Sequence, residues 1–256
     1  MLFTNTTFFG IDPTAGQRPF VYTALDENLR LVILERGPID DALAFAAAQS
    51  KALVGVCAPR RPNQGLMADE EVRRGLSPIP NPGRWLDFRL AEYLLRQRNI
   101  RLPRTPGLED DCPRWMQMGF QLYQRLEDLG YRAYPHEEAD RQYVEVYPHA
   151  SYCALLGVLP FPKSTLEGRL QRQLVLYELN LKISDPMRIF EEITRYRLLN
   201  GILPFENLFN EGELDALVAA YTAWYLARQT GQPLMIGDPG EGQVALPVSE
   251  LKERYS

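Results

Sequence analysis

Cysteine is scarce, and what there is does not pair. Cys57, Cys112 and Cys153 are odd in number and form no Cys-x-x-Cys spacing. That argues against a disulfide framework and against a structural zinc site. Histidine is scarcer still, with two in the chain. His136-Glu137-Glu138 lacks the second histidine of a zincin helix and reads as solvated surface. No apolar run approaches the roughly 20 residues that a membrane-spanning helix needs. Met1 to Asn5 hold no basic segment leading into an apolar one, so no secretory signal is expected. A soluble cytoplasmic protein without a membrane partner is the expectation. An excess of basic charge is also missing: the net charge is -5 and the pI about 5.3. Duplex-binding proteins are generally basic. A nucleic-acid partner would therefore need a local basic groove or a metal ion to offset phosphate charge.

What is present suits one large domain. Of 256 residues, 45% are hydrophobic and 24% charged, an ordinary globular balance. Thr7 to Asp12 alternates in the manner of a strand, with Phe9 and Ile11 on one face and Phe8, Gly10 and Asp12 on the other. Pro13 stops it, and Pro13 to Pro19 is a turn-rich connection. Phe20–Leu25 and Leu29–Glu35 follow as strands with a short turn between, so the first three make an antiparallel meander. Ile39–Gln49 has helical spacing, with Asp40 and Asp41 at its start. Ala52–Ala58 is a continuous apolar run, the mark of a strand buried on both faces. Arg60–Arg84 reads as a long loop, Phe88–Gln97 as a helix in which Arg89, Glu92 and Arg96 pair along one face, and Pro103–Pro113 as a second loop. Trp115–Leu129 is an amphipathic helix closed by Gly130. Tyr131–Tyr134 and Tyr143–Tyr147 are strands. Helices are expected over His149–Leu156, Thr165–Tyr177, Pro186–Leu199 and Glu213–Arg228. Short strands at Pro233–Ile236 and Gln243–Leu246 flank a turn at Asp238 to Gly242. The chain shows no internal repeat.

Three acids stand inside apolar segments. Asp12 ends the first strand, Glu145 is central in Tyr143-Val144-Glu145-Val146-Tyr147, and Asp215 lies in Leu214-Asp215-Ala216-Leu217. A buried carboxylate neutralises unless a cation compensates it. Magnesium or manganese, which favour hard oxygen ligands, would do so and would activate water for phosphodiester attack in a two-metal arrangement. Each acid also has a structural reading: Asp12 as a turn residue, Glu145 as the partner of an arginine at a sheet edge, and Asp215 as a complement to the helix dipole.

Gly10-Ile11-Asp12-Pro13, Val54-Gly55-Val56-Cys57-Ala58-Pro59, Glu145-Val146-Tyr147-Pro148 and Leu214-Asp215-Ala216 together resemble the motifs of the domain-of-unknown-function family four-twenty-nine, described as predicted nucleases of ribonuclease H-like fold. The resemblance covers most of the chain. It implies an α/β fold with a five-stranded mixed sheet, three antiparallel strands then two parallel ones, flanked by helices, with extra helices toward the C-terminus. It also implies metal-dependent phosphodiester hydrolysis at Asp12, Glu145 and Asp215. Where the family pattern carries an acid after the fourth strand, this chain has Cys57, a poor magnesium ligand, placed by the implied fold beside Asp12.

Weaker candidates complete the set. His149 is read as a proton shuttle, a phosphate ligand or a helix cap. Arg60, Arg61, Lys163, Arg169 and Arg172 offer local positive charge, and Asp238 is a candidate to approach the site from its turn. Besides a nuclease acting on nucleic acid or a nucleotide, two other classes are open. One is a ribonuclease H-like binding module weakened at Cys57. The other is an actin-like or sugar-kinase-like nucleotide binder, on a loose likeness of Ile11 to Gly16 to a phosphate loop.

Overall fold

The structure, a computed structural model, describes residues 6–14, 19–228 and 234–256. Residues 15–18 of the first connection and of the phosphate-loop likeness lie outside the described residues, as do the N-terminal segment 1–5 and Pro233. Strand β1 (Thr7–Asp12) pairs antiparallel with β2 (Phe20–Leu25), and β2 with β3 (Leu31–Gly37), giving the expected meander. The apolar run becomes β4 (Ala52–Val56), parallel to β1. Next come β5 (Arg132–Ala133) and β6 (Arg141–Val146), the latter parallel to β4.

Among the described residues the sheet has eight strands, not the five expected. Its order is β3-β2-β1-β4-β6-β8-β7, where β7 is Met235–Asp238 and β8 is Gly242–Ala245. Beyond β6 the outer edge is shared. β5 covers Gln142 and Tyr143, while β8 covers Glu145 and Val146. An open edge strand leaves backbone groups unpaired, so these short segments close β6 instead of standing apart.

Local polar chemistry corrects several helix boundaries. The loop over Arg60–Arg84 contains short helices at Glu70–Arg74 and Pro82–Trp85. Asp69 and Asn81 start them, their side chains accepting the backbone N–H of Glu71 and Gly83. The single helix expected over Pro186–Leu199 is two, Arg188–Glu192 and Arg195–Leu199. Thr194 divides them by capping the second, its hydroxyl accepting the N–H of Arg197. The last long helix begins at Glu211. There the Asn210 side chain accepts from Gly212 and Glu213, and Glu213 accepts in return from the Asn210 N–H at 2.8 Å, a capping box. Among the described residues, no helix is long and apolar enough to cross a membrane.

The sheet separates two cores. Phe8, Leu53, Val144 and Val146 pack under the Glu211–Arg228 helix. Phe9, Ile11, Val54, Val56 and Tyr143 pack on the other face, with residues of the Ile39–Ala47 and Arg114–Asp128 helices. The long helix sits unusually close to its face. Gly10 and Gly55 are direct partners across β1 and β4. A Cβ at Gly10 would fall 2.0 Å from the Ala216 carbonyl oxygen, and one at Gly55 2.5 Å from that of Ala219. Both obstacles are backbone, so neither can swing aside. We expect Gly10→Ala to lower the unfolding free energy by about 3 kcal/mol through overpacking, measured by urea denaturation. An unchanged midpoint would refute this close seat.

Candidate functional site

Asp12 ends β1 on the helix-covered face, because it lies two and four residues beyond Gly10 and Phe8 on an alternating strand. One of its oxygens accepts the Thr14 N–H at 3.2 Å. The close-packed helix brings Asp215, the residue before Ala216, to the same place. Both carboxylates line one cleft of about 860 Å³. Cys57, His149, Lys163, Arg172, Glu211, Trp115, Tyr147 and Phe161 line it as well. Five of the sequence candidates, namely Asp12, Asp215, Cys57, His149 and Lys163, are thus brought together.

The electrostatics of the pair are unbalanced. Asp12 is pushed up to about 7, first by burial and then by the charge of Asp215. Burial raises Asp215 also, but the Lys163 ammonium, bonded to it at 2.8 Å, opposes that rise. Of the two acids, Asp12 therefore holds the proton near neutral pH. Among the described residues, no cation makes an ion pair with Asp12.

The neighbours have defined states. Burial, with the charges of Asp12 and Asp215, raises the Cys57 thiol well above its usual range. The thiol donates to the Asp215 carbonyl oxygen at 3.4 Å, and the Cys57 N–H donates to the Ile11 carbonyl at 2.8 Å. Cys57 is thus a strut between strand and helix in its neutral thiol form. Burial, together with Arg172 and Lys163, lowers His149 to about 4. It is a neutral imidazole at physiological pH and cannot serve there as a cationic phosphate ligand.

Glu145 is placed elsewhere. It pairs in register with Val56, and Val56 with Ile11, so its side chain belongs to the opposite face of the sheet from Asp12. It is 8% exposed and grips Arg89, 1% exposed, through two hydrogen bonds of 2.8 and 2.9 Å. It also accepts the Arg60 N–H at 3.0 Å. The cavity beside this pair is about 20 Å³, room for about one water. Arg89, expected to pair with Glu92 along one helix face, is the internal cation of a cluster that holds Glu145, Glu92 and Glu241. Asp238 closes its own turn, accepting from Gly240 and Glu241 at 2.7 and 3.2 Å, and does not line the cleft. Of the basic residues, Lys163 and Arg172 face the cleft, whereas Arg60 pairs with Glu127 and Arg169 donates to the Leu208 and Phe209 carbonyls.

The sequence reading missed Glu211, Trp115, Tyr147 and Phe161. Glu211 stands four residues before Asp215, one helical turn away on the same face, and that spacing was the available signal. The three aromatics lie on separate elements and carry no common pattern.

A family model described as "Protein of unknown function (DUF429)" matches residues 10–241. No curated protein and no solved structure gives a significant match.

Two outcomes check the electrostatic assignments. A raised carboxyl pKa stabilises the fold below about pH 4, and that contribution fades as pH rises toward 7. Asp12→Asn should therefore gain stability relative to the parent between about pH 4 and 7, by at most about 4 kcal/mol, read by denaturation at each pH. Arg89→Met should cost about 3–5 kcal/mol by leaving Glu145 buried without its partner. A loss under about 1 kcal/mol would show the pair to be dispensable.

Proposed function

The chain belongs to the family described as Protein of unknown function (DUF429), and from that premise we propose a divalent-metal-dependent phosphodiesterase or nuclease of ribonuclease H-like architecture. One observation carries the reading: Asp12 and Asp215, from the first strand and the last long helix, meet in a substrate-sized cleft where a single lysine, bonded to Asp215, offsets only part of their repulsion. The central strands support it, three antiparallel followed by two parallel, with acids at the end of β1 and near the start of the helix packed on it.

The donor set fits one hard cation. Magnesium commonly takes one or two carboxylates and leaves its remaining positions to water and phosphate oxygens. It does not fit the two-metal expectation. Glu145 is held by Arg89 on the other face, and Cys57 offers a neutral thiol. Among the described residues, no group of three or more His, Cys, Asp and Glu side chains could hold a metal ion. When bound, magnesium or manganese would activate a water and offset charge on the phosphate.

The chain's own groups do the rest. Asp12 and Asp215 would hold such a cation, with the Asp12 proton released to solvent on binding. Lys163 and Arg172 hold the phosphate, and neutral His149 offers an uncharged donor or acceptor. The Lys163–Asp215 ion pair favours a second reading, in which the lysine already supplies the site's cation and the cleft binds a phosphorylated ligand without cleaving it.

Manganese affinity should rise by up to about tenfold per pH unit toward pH 7, because the Asp12 proton competes with the metal. Asp12→Asn and Asp215→Asn should each slow cleavage of DNA or RNA by about 100-fold or more, the several kcal/mol that a catalytic metal contributes. Manganese binding without cleavage of any strand would favour the binding module. Cleavage indifferent to both substitutions and to chelation would sink the metal reading.

A further inference from the structure

We infer that the cleft takes a single-stranded, nucleotide-sized phosphodiester, such as a dinucleotide or a frayed strand end, in preference to a duplex. The unit recognised is one aromatic base beside one phosphate.

Phe161 carries the argument. Its side chain is large and apolar, yet the residue is 55% exposed at the cleft. Its backbone is fixed from both sides. The Phe161 N–H donates to the Gln171 side-chain oxygen at 2.8 Å, and its carbonyl accepts from the Arg172 guanidinium at 2.8 Å. Arg172 is 3% exposed, and the same nitrogen donates to the Gly168 carbonyl at 2.8 Å. Pro160 and Pro162 flank the phenylalanine. Pro162 lies so near Gly168 that a Cβ there would come within 1.9 Å of the proline carbonyl oxygen. A buried arginine, a glutamine and two prolines thus fix the backbone that carries one exposed ring. A surface organised before binding loses less entropy on binding. Trp115 and Tyr147, both half-buried, line the same cleft. Bases of any identity stack on such rings, each worth roughly 1–3 kcal/mol.

The charges limit how much phosphate the site can hold. Lys163 and Arg172 line the cleft, and Glu211 and the two aspartates oppose them. Duplex binders commonly neutralise about 6–10 phosphates. Two cations suit one or two. The volume of about 860 Å³ is that of a small-ligand site.

The inference builds on the phosphodiesterase reading, but the two fail separately. Asp12→Asn protein would be titrated by calorimetry with a 5′-phosphorylated thymidine dinucleotide and with a long duplex, over a range of salt. We expect the dinucleotide to bind with a log–log salt slope no steeper than about -2. Phe161→Ser and Trp115→Leu, made in that background, should each weaken it about tenfold. Because the Phe161 ring is exposed, the serine variant should keep its unfolding midpoint even if the tryptophan variant does not. Tighter binding of the duplex with a steep slope would overturn the inference, as would dinucleotide binding that neither variant weakens. If wild-type protein with manganese binds the dinucleotide in this way without hydrolysing it, the hydrolytic reading falls and the substrate class stands. Duplex cleavage without dinucleotide binding would leave the first and remove the second.

Discussion

The whole arrangement rests on how closely one helix approaches one pair of strands. Gly10 and Gly55 face each other across β1 and β4, and the backbone of Ala216 to Ala220 occupies the space their side chains would take. A larger residue at either position would lift the helix off the sheet. That contact places Asp215 against the end of β1, and so makes a cleft of two acids that are 203 residues apart (215 − 12). The Asn210–Glu213 capping box fixes where the helix begins, and the Cys57 thiol ties its Asp215 carbonyl to the end of β4.

The sheet keeps two systems of buried charge on opposite sides. Behind it, Arg89 supplies a guanidinium matched to Glu145 in two parallel bonds, and Glu92 and Glu241 gather about the same cation. The cavity beside that system has room for about one water. In front, Asp12 and Asp215 share one lysine, which bonds to Asp215 alone. The front system is short of positive charge and opens on a large cleft. Acids perturbed by burial and lining a cleft mark a candidate functional site, and by that criterion the front pair is the candidate.

The cleft's wall and its charge are linked through Arg172. The same guanidinium that lines the cleft also holds the Phe161 carbonyl, so a cleft cation and the backbone of the exposed ring are linked through one residue. His149, kept neutral by burial and by the cations beside it, adds polarity without adding charge. One segment thus presents an apolar surface beside a cation.

Much of this was legible in the residues, because alternation and helical spacing act over a few positions. The antiparallel pairing of the first three strands, the two-sided burial of the fourth and the face on which Asp12 lies follow from local pattern and short connections, whereas the order and parallel pairing of the five central strands were implied only by the family resemblance. So does the costliness of Asp12, Glu145 and Asp215 in apolar surroundings. What local pattern does not contain is register. Glu145 stands opposite Val56 and not one residue further along, and a shift of one would exchange its face for that of Asp12. Its partner Arg89 is 56 residues away, and no spacing connects them. The joining of β5, β7 and β8 to the sheet depended on which edge of β6 remained open. The sequence by itself determined that acids would be buried and needed cations. Only the tertiary structure decided which acid received an arginine and which two were left facing a cleft, because that choice depends on long-range packing.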